Sequence, residues 1–135
     1  MRRIIIFTFI IVFLAPACAT TPTALPEKYN LDNYLEAVDQ IFTLKAPRWE
    51  KVDNQSIILE VNWNDYYLLV LRRPIDMKYS NPKIGIDRTV NSITSGHDRI
   101  FVEDSPGSQY YVIDKIYKLK GKEQKKEIKE RLRNS

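Results

Sequence analysis

Ile57-Ile58-Leu59-Glu60-Val61, Asn62-Trp63-Asn64-Asp65 and Tyr66-Tyr67-Leu68-Leu69-Val70-Leu71 follow one another without a break, and this run decides the fold. In the first segment Ile57, Leu59 and Val61 share one face of a period-two strand, while Ile58, Glu60 and Asn62 share the other. The polar cluster Asn62-Trp63-Asn64-Asp65 reads as a hairpin turn. Tyr66 to Leu71 is apolar on both faces, which is how a strand in the middle of a covered sheet reads. Arg72-Arg73-Pro74 closes it.

Downstream lies a loop rich in turn residues, including Asn81-Pro82 and Gly85, followed by a strand around Thr89 to Ile93. Ser95-Gly96-His97 makes a further turn. Asp98 to Glu103 places Ile100 and Val102 inward, and Asp104-Ser105-Pro106-Gly107 is a strong turn signal. Tyr110 to Tyr117 is the last clear strand. Upstream, Leu31, Tyr34, Leu35, Val38, Ile41 and Phe42 recur at helical spacing behind Asn30 as an N-cap, so a short N-terminal amphipathic helix is expected. Val38 to Leu44 also carries strand-compatible residues and is left open between helix and first strand. Pro47 ends the element in either case.

The expected architecture is mainly β, α+β only at its margins: a small antiparallel barrel or sandwich of about five to six strands. Trp49, Ile57, Leu59, Val61, Leu69, Leu71, Ile100, Val102 and Ile113 are its expected core. After Gly121 the chain is nearly all Lys, Glu, Gln and Arg, with only Ile128 and Leu132 spaced to touch a core. It reads as a solvated charged helix or tail with one favourable pair, Glu127 and Arg131.

The N-terminus carries an address. Arg2 and Arg3 precede an unbroken apolar run from Ile4 to Leu14, and then come Ala15-Pro16-Ala17 and Cys18. A helix of that run rises about 16 Å, well short of the roughly 30 Å of a bilayer core, so a secretory signal fits better than a permanent span. Ala15-Pro16-Ala17 suits an ordinary signal peptidase. The same residues before the chain's sole cysteine resemble a lipobox, with Leu14 one position further from Cys18 than usual. Lipidation of Cys18 is the favoured reading and simple secretion, periplasmic or beyond, the alternative. Ala19 after the cysteine, rather than aspartate, favours the outer membrane, facing the periplasm. The expected organisation is a signal over 1–17, a lipidated tether over 18–30, a β-rich domain over 31–120 and the charged helix over 121–135.

A lone cysteine gives no internal disulfide, so packing must hold the fold. From Lys118 to Arg133 there are eight Lys or Arg against three Glu, so the basic balance belongs largely to the signal and the tail. No nucleic-acid partner is expected. Asn54-Gln55-Ser56 matches a glycosylation sequon by chance.

Chemistry is thin. With His97 the only histidine, neither a zinc set nor a Cys–His pair is available, and no metal or cofactor is expected. Ser–His–Asp catalysis with His97 as base lacks a G-x-S-x-G elbow. Asp53, Asp65, Asp76, Asp87, Asp98 and Asp104 border strands, where aspartates bond local backbone; no catalytic residue is assigned. Tyr66, Tyr67, Tyr79, Tyr110, Tyr111 and Tyr117 read chiefly as packing residues. Trp63, a large ring in a polar turn, is the candidate for partner contact.

Arg48-Trp49, Val52-Asp53, Ile57 to Val61, Tyr67-Leu68-Leu69-x-Leu71-x-Arg73-Pro74, Ile84-Gly85, Asp98-Arg99-Ile100-x-Val102 and Ile113-x-Lys115-Ile116 resemble a family of small Gram-negative envelope lipoproteins catalogued as a domain of unknown function. The resemblance covers about Val38 to Leu119 and implies export and a β-rich fold, with no catalytic residues to carry over. It also implies cysteines just after the Arg-Pro position and near the last strand. Here Ile75 and Tyr110-Tyr111 stand in those places. The leading expectation is a non-enzymatic envelope lipoprotein, membrane-held through its anchor and contacting another envelope component. A barrel holding a sugar-like or apolar small ligand is the alternative, and a small carboxylate-based hydrolase comes last.

Overall fold

The computed structural model describes residues 24–76, 83–88, 91–104 and 107–135. The stretch expected to be a signal, Cys18, Tyr79, Ser105-Pro106 and the start of the strand expected from Thr89 lie outside the described residues.

The described residues form nine strands and one helix: β1 (Glu36–Val38), β2 (Gln40–Phe42), β3 (Arg48–Lys51), β4 (Ser56–Asn62), β5 (Asp65–Leu71), β6 (Lys83–Asp87), β7 (Ser92–Thr94), β8 (Arg99–Asp104), β9 (Gly107–Leu119) and α1 (Gly121–Arg133). All pairings are antiparallel. The main sheet runs β3-β4-β5-β9-β8-β6, with β1 added to β9, and curls into a half-barrel; β2 and β7 form a separate pair.

The long strand β9 organises everything else. Its first half pairs with β8, and its second half lies between β5 and β1. A register shift opposite Val70/Leu71 changes which residues face inward. Tyr111 and Ile113 enter the concave core, and beyond the shift Ile116 does, while Tyr117 and Leu119 turn to the convex side. One irregularity thus lets a single strand serve two cores.

Those two cores explain why β5 is apolar on both faces. Leu69 and Leu71 join Ile57, Leu59, Val61, Ile100 and Val102 on the concave side. Ile41 and Ile93, directly opposite each other in the small β2–β7 pair, close over that core. Tyr66, Leu68 and Val70 join Ile58 and Tyr117 on the convex side, which α1 covers with Ile128 and Leu132 and the N-terminal segment covers with Tyr29, Leu31 and Leu35. The charged helix is therefore pinned by the two apolar residues its sequence offers.

Four expectations need correction. The helix expected over Leu31 to Phe42 is not formed. A 3-10 turn occupies Glu27–Tyr29, the Leu35 N–H donates to the Leu31 carbonyl at 2.8 Å in a single helical turn, and the chain then extends into β1 and β2. Pairing with β9 and β7 overrides the helical spacing, because helical propensity is a weak preference beside sheet pairing and burial. Tyr29 is fully buried and Leu25 packs against the same cluster, so the end of the stretch read as tether belongs to the fold. The turn-rich loop around Gly85 holds an edge strand, β6. A methyl group at Gly85 would overlap the ring of Phe101, its partner across the pair, so this glycine makes room for an aromatic. Finally, Trp49 is 40% exposed. It lies opposite Leu59 on β3, the end strand of the sheet, where no further strand covers it among the described residues. The remaining expected core residues are all buried.

Candidate functional site

The hairpin joining β4 to β5 pairs Asn62 with Asp65 and leaves Trp63-Asn64 as its tip. Asn64 takes a left-handed conformation (φ 67°), which asparagine tolerates better than most residues. Trp63 beside it is 83% exposed.

Strand β2 and the residues after it bring a second pair of apolar side chains to this end. Ile41 and Thr43 point inward and are buried, so alternation drives Phe42 and Leu44 outward, where they are 74% and 83% exposed. The polarity is inverted: the inward place at 43 goes to a threonine, while the larger apolar side chains face water. Thr43 is tied down on three sides. Its N–H donates to the Asn91 carbonyl at 2.8 Å, its hydroxyl donates to the Lys45 carbonyl at 2.7 Å, and its own carbonyl accepts from Arg88 Nη1 at 3.0 Å. Phe42 and Leu44 are therefore presented from a fixed backbone.

Two surface clefts connect these groups. One of about 360 Å³ is lined by Phe42, Thr43, Leu44, Lys45, Asn62 and Asn91. The other, about 230 Å³, runs from Lys45 past Arg48 and Glu60 to Trp63. Lys45 and Asn62 line both, so the three exposed apolar residues rim one continuous surface. Arg48 and Glu60 form an ion pair at 2.7 Å on its edge. Large rings and an aliphatic side chain amid charged and amide groups compose the anchor-and-rim pattern of protein contact surfaces.

The other sequence candidates are used structurally. His97 is exposed in the turn 95–97, whose Gly96 has φ 77°. Asp53 accepts hydrogen bonds from Tyr29 Oη (2.7 Å), Ser56 Oγ (2.7 Å), the Gln55 N–H (2.9 Å) and Lys28 Nζ (3.1 Å). Burial pushes its carboxyl pKa up, but these bonds outweigh it and hold the group below its ordinary value. Burial and the Asp53 carboxylate push the Tyr29 hydroxyl well above its usual value. Asp98 accepts the Thr94 N–H at 2.6 Å, Asp87 pairs with Arg99 at 2.6 Å, and Asp65 caps the Asn62 hairpin. Among the described residues no three His, Cys, Asp or Glu side chains gather as metal ligands would. Tyr66, Tyr111 and Tyr117 are buried and Tyr110 is half-exposed. The Tyr117 hydroxyl accepts the Leu31 N–H and lies 2.9 Å from Asp32, which holds the N-terminal segment on the convex face.

Sequence reasoning singled out Trp63, which is exposed, and did not single out the likewise exposed Phe42 and Leu44. Reading Val38 to Leu44 as a strand would have placed Ile41 and Thr43 on one face and the two larger residues on the other.

Fold and surface together define a small half-barrel β protein with one covering helix and an exposed apolar end. The chain matches the model of a family of unknown function, DUF6491, over residues 1–135, and belongs to that family. No curated protein and no solved structure matches it.

Proposed function

We propose that this protein is a non-enzymatic lipoprotein of the bacterial envelope, anchored through Cys18 and facing the periplasm from the outer membrane, whose Phe42–Leu44–Trp63 end docks on another envelope protein. The inverted alternation at Ile41-Phe42-Thr43-Leu44 carries the reading. Two large apolar side chains held outward by a fixed backbone, beside a tryptophan at a hairpin tip, waste burial energy in the isolated domain. The same side chains would be anchors if a partner covered them. The signal-like N-terminus supports the compartment, and the sole cysteine directly behind Ala15-Pro16-Ala17 supports the anchor.

Photo-crosslinking in living cells tests the docking. A benzophenone amino acid at Phe42, Leu44 or Trp63 is expected to give the same crosslinked envelope protein from all three positions. Glu103, exposed on β8, is the control position and is expected to give none. Identical products from Trp63 and Glu103, or none from the three positions, would overturn the proposal.

A further inference from the structure

A second surface lies along α1. At 3.6 residues per turn, Lys122, Lys125, Lys126, Lys129 and Arg133 fall within an arc of about 100°. They line a cleft of about 350 Å³ whose floor includes the ring of Tyr66. Lys125 and Lys129, nearest the sheet, both pair with Glu50 of β3, the former at 3.0 Å. Lys125 also sits over the Tyr66 ring, 4.9 Å from its centre. Lys122 and Lys126 are exposed and hold no partner among the described residues. Set against Glu130, which lines the cleft, and Glu50, which pairs with two of its lysines, the five cations leave an excess of three positive charges. Stacking like charges at i, i+4 costs a helix a few tenths of a kcal/mol per pair, and α1 does so at Lys122/Lys126, Lys125/Lys129 and Lys129/Arg133.

The position of this stripe decides its partner. Leu25 and Tyr29, where the described chain begins, pack into the same convex cluster as Ile128 and Leu132 of α1. The seven residues from Cys18 to Leu25 reach at most about 25 Å. A lipid at Cys18 would hold the convex face, with its cationic stripe, close to the bilayer, while Phe42, Leu44 and Trp63 line clefts that share no residue with it. The two apolar residues of α1 are consumed by the core, so the helix has nothing to insert. What it offers is charge alone.

We propose that the cationic cleft along α1 docks on the phosphate headgroups of an anionic phospholipid bilayer, as a second, purely electrostatic attachment beside the lipid anchor. Its location rests on the anchored reading given above. A basic patch can supplement acyl chains at a membrane and orient the protein on it, each cation near the surface contributing about a fivefold gain.

The test uses the mature protein extracted from native membranes and reconstituted with vesicles of phosphatidylcholine, or of phosphatidylcholine with about a third phosphatidylglycerol, so that only the anionic charge differs. Lysines are acylated with an amine reagent and counted by mass spectrometry. On anionic vesicles at about 0.1 M salt, Lys122 and Lys126 should be protected about fivefold or more relative to neutral vesicles, and protection should vanish near 1 M, where the Debye length is about 3 Å. Lys45, at the other surface, should label equally on both. In the variant Lys122→Gln/Lys126→Gln, protection of Lys125 and Lys129 on anionic vesicles should fall to the neutral-vesicle level. Equal labelling of Lys122 and Lys126 on the two vesicle types would overturn the proposal. So would equal protection by inorganic pyrophosphate in solution, which would make the ligand a soluble phosphate. Flotation with neutral vesicles reports the anchor separately: a chain that floats only with anionic vesicles would refute the anchor and support the cleft.

Discussion

Leu68→Ala and Leu69→Ala together probe the two-faced character of β5. The residues are adjacent, so their side chains enter opposite cores, and both are fully buried. Truncating leucine to alanine removes three carbon atoms, about 2.4 kcal/mol of transfer free energy at about 0.8 kcal/mol for each. The cavity left behind adds to this, so each variant should lose about 3–4 kcal/mol, inside the 2–5 kcal/mol range of buried leucine truncations. With a urea m-value near 1.5 kcal/mol/M, the midpoint should fall by roughly 2 M. Urea titration followed by far-ultraviolet circular dichroism reads this. A sheet with one solvated face would show the loss for only one of the pair. A change below about 0.5 kcal/mol for Leu68→Ala would refute the covering of the convex face by α1 and the N-terminal segment. The same result for Leu69→Ala would refute the strand register.

Other perturbations reach other parts of the structure. Because the Asp53 pKa is depressed, its contribution to stability is fully present above the ordinary aspartate value near 4 and is lost as pH falls through the lower folded value. Asp53→Asn should therefore flatten the acid limb of a stability–pH curve, and an unchanged limb would refute the role given to its hydrogen bonds. Gly85→Ala should cost about 1–3 kcal/mol through overlap with Phe101 and be partly rescued by Phe101→Leu, as thermal melts of the single and double variants would reveal. Intact mass of the protein extracted from native membranes should give a di- or triacylated N-terminus at Cys18, whereas a chain beginning at Thr20 or an unmodified thiol would refute anchoring.

What was legible in the sequence follows from how many physical signals agreed at each place. Tyr66 to Leu71 could be assigned to the sheet centre because no amphipathic alternative accommodates apolar residues on both faces. The Asn62–Asp65 turn and Trp63 were legible because a tryptophan between two asparagines has no strand or helix face to hide it. Ile128 and Leu132 marked the buried side of α1 because they are its only apolar residues. Residues 31–42 misled because two patterns coincide there. Leu31 and Leu35 do make one helical turn, and only the distant edges of β9 and β7 draw the following residues into strands. That mistake hid Phe42 and Leu44, whose orientation depends on the strand assignment. The bulge opposite Val70/Leu71, which carries β9 from one core to the other, left no local signal, since Ile113 and Ile116 read equally well in a continuous strand.

The variant Phe42→Ser/Leu44→Ser/Trp63→Ser tests most directly whether the exposed end is a docking surface. These side chains are largely in water, so unfolding free energy should stay within about 0.5 kcal/mol per substitution of the native value. The measurement is quantitative co-purification of crosslinked envelope partners at matched expression. The expected result is a folded, normally accumulated protein that has lost its partner. A folded variant that retains the partner at native yield would contradict docking through Phe42, Leu44 and Trp63.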